Sequence, residues 1–222
     1  MTMTPFSSDV ERAILAETPI RSTMFFRTLG STNDYAKELL CSEAAKESML
    51  TFPLLISAEE QTAGRGRGAK KWWTGKDSIA VSLVLDLREM QLDRNELPNL
   101  SPLTAKVVCD TIGNVIGKGH TLEVHAPNDV YLNGKKVCGI LIESPTPDYA
   151  IFGIGINTNN SITHLPEEYR NVPITTLFDT TGKLTSHSVL LVDLFQRFFK
   201  KLKPADTATG ISLQDSIAAY NP

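Results

Sequence analysis

Glu60-Gln61-Thr62-Ala63-Gly64-Arg65-Gly66-Arg67-Gly68-Ala69-Lys70-Lys71-Trp72-Trp73 is the stretch on which the reading of this chain turns. Glycine lets a backbone turn sharply or come close to a neighbour. Arginine carries a fixed fork of donors suited to carboxylate and phosphate. A solvated basic turn is the plain alternative. The paired tryptophans argue against it, because exposed indoles are costly unless they pack on something. The run reads as a loop around an anionic small molecule with a flat part, such as a nucleotide. It is not a P-loop, because Gly-x-x-x-x-Gly-Lys-Ser/Thr is absent. Nor is Gly64-x-Gly66-x-Gly68 the dinucleotide fingerprint, which places glycines first, third and sixth before a helix.

The flanks of the run are strands. Leu54-Leu55-Ile56-Ser57-Ala58 is short and apolar, and Ile79, Val81, Leu83, Leu85 and Leu87 alternate with Ala80, Ser82, Val84 and Asp86. Upstream, Val10, Ala13, Ile14 and Leu15 suit a short helix before Pro19, and Met24-Phe25-Phe26 suits a strand. Gly30-Ser31-Thr32-Asn33-Asp34 then opens a helix, with one of Ser31 to Asn33 as its cap. Downstream, residues 88–100 read as a polar linker, and Ser101-Pro102 as a helix start ended by Gly117 to Gly119. Residues 121–157 read as sheet with a hairpin at Asn133-Gly134, broken by Pro145 and Pro147. Residues 158–185 look irregular, Val189 to Phe199 helical, and 201–222 a polar tail. Strands bracketed by helices predict an α+β domain, sheet in the middle and helices on one side.

Composition sets limits. The 222 residues, 41% hydrophobic and 21% charged, hold a real core and argue against wholesale disorder. A net charge of -3 gives no general footprint for nucleic acid. Cys41, Cys109 and Cys138 have no metal spacing and suit a reducing compartment. The first residues lack a signal-peptide pattern, and no apolar run approaches a membrane span. A cytoplasmic location is the expectation.

Three further clusters carry chemistry. Pro127-Asn128-Asp129 is either a plain turn or a place where Asp129 holds Mg2+ or a nucleotide hydroxyl and Asn128 touches a phosphate. Lys136 is either a surface lysine or projects into the same site. Gly153-Ile154-Gly155-Ile156-Asn157 bares one face of a strand, leaving room for a ligand or a packed helix. Ser31-Thr32-Asn33 offers more polar side chains than a cap needs and suits a small polar head group, such as a ureido ring. The scattered histidines form no nucleophile or metal pattern, so charge stabilisation and placement are the expected means of catalysis.

Together these motifs resemble the catalytic domain of biotin–protein ligases (holocarboxylase synthetases). Four motifs in order carry it: Gly30-Ser-Thr-Asn33; Glu60 to Arg67 with Trp72; Pro127-Asn-Asp129 with Lys136 and Gly139-Ile-Leu-Ile-Glu143; and Gly153 to Asn157. The resemblance implies a mixed central sheet flanked by helices, like class II aminoacyl-tRNA synthetase cores. It implies ATP-dependent formation of biotinyl-5′-AMP, then transfer to a lysine of a biotin carboxyl carrier domain. In this correspondence Ser31, Thr32 and Gln61 hold the biotin head group, with Asn33 beside them as a further binding residue. Gly64, Arg65, Gly66, Arg67 and Lys70 belong to the closing loop, with Arg67 and Lys136 catalytic. Trp72 lies beside the adenylate, and Asn128 and Asp129 serve the nucleotide–Mg2+ end. Gly153 and Gly155 belong to the strand against which biotin lies, and Gly139 and Asn157 complete the expected binding residues.

This chain departs from that pattern at His125-Ala126, where the family usually has Lys-Trp, and at Ala69-Lys70, where it usually has Gly-Arg. A lipoate or octanoate ligase of the same fold, or an impaired biotin- or nucleotide-binding relative, are the competing readings. Domain boundaries are expected at 1–20 for an extension without a DNA-binding domain, 21–200 for the catalytic domain and 201–222 for a tail too short for the usual small β-barrel. No nucleic-acid or membrane partner is expected, and a homodimer through a sheet edge stays open.

Overall fold

A computed structural model describes residues 8–42, 50–170 and 172–202. A seven-stranded sheet forms its centre: β1 (Ser22–Leu29), β2 (Leu54–Gln61), β3 (Ile79–Asp86), β4 (Leu122–His125), β5 (Asp129–Leu132), β6 (Lys135–Thr146) and β7 (Tyr149–Ile156), in spatial order β1-β2-β3-β7-β6-β5-β4. β1 and β2 run parallel and the other neighbours antiparallel. Among the described residues the α-helices are α1 (Ser8–Glu17), α2 (Thr32–Leu40), α3 (Leu97–Ile116), α4 (Leu177–Thr181) and α5 (His187–Leu202).

The period-2 pattern of β3 sorts the layers. Ile79, Val81, Leu83 and Leu85 join the main core with α1, α3 and α5, while Val84 joins a smaller cluster with Ala36 and Leu40 of α2. Phe152 of β7 meets Phe198 of α5 edge-on at 5.1 Å. Full burial of such a ring contributes about 1.5–3 kcal/mol. Both apolar rows of α5, Leu190/Leu194/Phe198 and Leu191/Phe195/Phe199, are buried as their spacing predicts.

Three expectations change. Helices cover both faces of the sheet, because α2 docks opposite the main core. α3 begins at Leu97 after a turn capped by Asp93, so Pro98 sits in its first turn and Pro102 lies inside it. Ser101 is not the cap; its hydroxyl donates to Pro127 O at 3.0 Å and ties α3 to the Pro127 turn. β6 continues through Pro145 with a register shift between Glu143 and Thr146, so only Pro147 falls in the turn. The expected polar tail, beyond Leu202, lies outside the described residues.

Candidate active site

The Gly/Arg run folds as a tight hairpin between β2 and β3. Arg65 pairs with Lys71, Trp72 N donates to Gly64 O at 2.9 Å, and Gly66 N donates to Lys70 O at 2.7 Å. Gly68 turns the tip at φ 65, where a side chain would be strained. Gly64 is needed for a close approach, but the neighbour is the chain's own Trp72 carbonyl rather than a ligand. The hairpin returns the indole of Trp72 onto the sheet.

There it meets a bare patch. Gly139 of β6 and Gly155 of β7 are direct partners in register. A Cβ on Gly155 would lie 2.5 Å from Trp72 Nε1, and one on Gly139 would lie 3.0 Å from Cζ3. Gly153 bares the neighbouring position for α2, since its Cβ would lie 2.9 Å from Asn33 Cγ. The glycine face expected from the sequence is thus shared by an indole and a helix. The buried Nε1 of Trp72 has no hydrogen-bond partner among the described residues.

Around this indole opens a cavity of about 870 Å3. Thr32 and Gln61 are part of its lining. Gln61 Oε1 accepts from Thr32 N at 2.8 Å and from Thr32 Oγ1 at 3.2 Å, and Gln61 Nε2 donates to Thr74 Oγ1 at 2.9 Å. Ser31 is the helix cap by backbone geometry but makes no side-chain cap bond; Gln61 takes the first amide instead. Of Ser31, Thr32 and Asn33, expected together around a ligand head group, the cavity reaches only Thr32. Neither Ser31 nor Asn33 lines the cavity, and Asn33 is buried against Ser82 and Glu143.

Lys136, also in the lining, has its Nζ 2.8 Å from Asp129 Oδ1 and 5.8 Å from the Trp72 ring centroid, within cation–π range. The pair is close, yet Asp129 Oδ1 is buried and accepts no aligned hydrogen bond among the described residues. Such an oxygen suits a cation or a ligand proton. Among those residues no group of three or more His, Cys, Asp or Glu could hold a metal. The arrangement fits Mg2+ only in the form where one carboxylate serves alongside substrate phosphates. Asn128 lines the cavity while its amide donates to Ile140 O at 3.0 Å. Asn157 also lines it, its Oδ1 accepting from Asn160 at 3.2 Å.

Arg67, Lys70 and Lys71 line the hairpin wall as exposed cations. The guanidinium of Arg67 makes no ion pair among the described residues, whereas Arg65 is fully engaged by Asp34 and Glu143 at 2.7 Å each. Burial pushes the Glu143 carboxyl up, but hydrogen bonds from Arg65, Lys37 and Asn33 outweigh it and leave it below the ordinary value. Arg65 therefore anchors the hairpin, while Arg67 stands exposed at the cavity wall.

Several lining residues escape a reading of the sequence. Tyr169, Val172 and Ile174 come from the irregular segment after β7, where Ile174 bridges to Lys136 and Lys136 N donates to Pro173 O at 2.8 Å. No local pattern marks them. His125 stacks on Tyr131 at 3.9 Å and lines the cavity with it.

Residues 25–157 match the Biotin/lipoate A/B protein ligase family. The bifunctional ligase/repressor BirA of Bacillus subtilis (strain 168) is 27% identical over 88% of this chain and 58% of its own length. A biotin–(acetyl-CoA-carboxylase) ligase of Mycobacterium tuberculosis is 33% identical over 63% of this chain and 48% of its own. The chain thus spans about half the length of these curated relatives. Biotin protein ligase from Aquifex aeolicus, solved in complex with biotin and ATP, superposes with a TM-score of 0.66 at 28% identity, covering 83% of this chain and 72% of that one. The Leishmania major enzyme, at 22% identity and TM-score 0.65, shares the fold. With this sheet, its hairpin and four ordered motifs within or beside the matched span, the chain belongs to the biotin/lipoate ligase family and carries its biotin protein ligase-like catalytic domain.

Proposed function

We propose that this chain activates biotin with ATP to biotinyl-5′-AMP and transfers biotin to a lysine of a biotin carboxyl carrier domain. One observation carries the reading: a single cavity is lined both by the neutral polar pair Thr32–Gln61 and by the cations Arg67 and Lys136. Thr32 Oγ1 gives its one proton to Gln61 Oε1 or to Ser82 Oγ, and either way keeps a lone pair for the cavity. Gln61 Nε2 has two protons and spends one on Thr74. An acceptor beside a donor complements the N–H and C=O edge of a cyclic urea. A dithiolane or an alkyl chain offers neither, which favours biotin over lipoate or octanoate.

In the first step a biotin carboxylate oxygen attacks the α-phosphorus of ATP, and the bond to the bridging oxygen breaks to release pyrophosphate. In the second, a lysine amine attacks the carbonyl carbon, loses its proton, and AMP leaves. Lys136 holds positive charge where negative charge gathers in both steps, and Asp129 fixes its ammonium. Arg67, free at the hairpin, closes on the phosphate. When bound, Mg2+ would neutralise phosphate charge beside Asp129. The reaction needs no protein nucleophile.

Incubation with ATP, Mg2+ and labelled biotin tests this. Labelled adenylate is the expected product, and a carrier domain converts it to labelled protein. Adenylate formed with lipoate but not with biotin supports the other branch of the family.

A further inference from the structure

A chain of polar contacts runs beneath the cavity and meets it at Arg65, Thr32 and Gln61. Arg65 Nη2 reaches Glu143 Oε2 at 2.7 Å, and Glu143 also accepts from Asn33 Nδ2 at 2.8 Å and Lys37 Nζ at 2.6 Å. Asn33 Oδ1 accepts from Ser82 Oγ at 2.6 Å, and Ser82 Oγ lies 2.8 Å from Thr32 Oγ1. Thr32 meets Gln61, and Gln61 meets Thr74 at 2.9 Å. Arg65 and Thr74 are the two feet of the Gly/Arg hairpin and its tryptophans. One network therefore clamps both feet and passes through the Thr32–Gln61 pair on the way.

Packing alone does not call for these groups. Ser82 is fully buried in the middle of β3, between Ala80 and Val84, where an alanine would fit. Burying a hydroxyl and a carboxylate costs free energy unless each is bonded. Asp34 and Glu143 against Lys37 and Arg65 cancel in charge, so the cluster adds little field at the phosphate end. What it does is fix positions.

We propose that Ser82 and Glu143, neither of which lines the cavity, are positioning residues that couple the placement of the hairpin to the geometry of the Thr32–Gln61 pair. This rests on the site reading above for its consequence in biotin binding, but not for its structural half. Loosening either residue is felt both at the hairpin amides and at the head-group end.

The test uses the full chain, first without ligand. Amide hydrogen exchange is measured at Gly66 and Trp72, whose N–H groups close the hairpin, in the parent, S82A, E143Q and the double variant. Each single variant speeds exchange there about tenfold, the scale of one net hydrogen bond, and leaves β3 and β7 core amides unchanged. The double variant stays within about twofold of the larger single, because both cut one chain. In assays with biotin and ATP, the KM for biotin rises about tenfold in both singles with kcat changed much less. Exchange at Gly66 and Trp72 within about twofold of the parent overturns the proposal. So does equal loosening of the core amides, or a double variant that multiplies the singles. A parent that binds no biotin refutes the site reading instead, and the exchange data still decide the positioning.

Discussion

Gly155→Ala probes the cradle of Trp72 most sharply. The added Cβ would lie 2.5 Å from Nε1 and 2.7 Å from Cζ2 of the indole. Ordinary contacts of this kind sit at about 3.5–4.0 Å, so the ring must withdraw by about 1 Å. The backbone at Gly155 has no positive φ, so the collision, rather than strain, is the cost. Overpacking of this order costs about 1–3 kcal/mol. The indole rides on a hairpin, so the cost falls on hairpin placement rather than on the main core. At 1.4 kcal/mol per tenfold, affinity for biotin with ATP falls about 5- to 150-fold, while the melting temperature moves little. Gly153→Ala is the contrast. Its Cβ meets the 3% exposed Asn33 of α2, and the cost appears in stability, at about 2–4 °C per kcal/mol. Calorimetric titration, tryptophan emission and thermal melts separate the two. Gly155→Ala with parental affinity and emission would refute the reasoning.

Lys136→Ala lowers the rate of adenylate formation at least about a hundredfold, the scale of losing one preorganised donor, as followed by pyrophosphate exchange. Arg67→Ala weakens ATP binding with the melting temperature nearly unchanged, because its guanidinium has no ion pair to lose among the described residues; Arg65→Ala destabilises the protein as well. Glu143 is ionised in the fold below the ordinary carboxyl value, so its stabilisation is present above about pH 4.3 and is lost as pH falls through the folded value. Thermal melts from neutral to acid pH therefore show the gap between parent and Glu143→Gln closing in acid. Burial pushes the thiols of Cys109 and Cys138 up, while Cys41 is exposed. A thiol reagent at mildly alkaline pH titrates one cysteine in the native protein and all three after unfolding.

The sequence carried much of this fold where one residue pattern had one physical use. The alternation of β3 and the two rows of α5 announced their buried faces, and the Gly/Arg run announced a loop. It was silent where partners lie far apart. Nothing near Ser82 says that its hydroxyl meets Asn33, 49 positions away. Nothing near Glu143 says that it anchors Arg65, 78 positions away. A polar run at a helix start has several uses, and the burial of Asn33 against Gly153 follows only from the docking of α2. Tyr169 and Val172 carry no periodicity, so their place in the cavity follows from tertiary packing alone.

The central claim is that one cavity serves both urea binding and phosphate binding. Biotin-dependent exchange of labelled pyrophosphate into ATP, with Mg2+ and no acceptor protein, measures that directly. The account predicts exchange that needs biotin, is not supported by lipoate, and collapses in Lys136→Ala. No exchange at saturating biotin and ATP, or exchange that Lys136→Ala leaves intact, would contradict it.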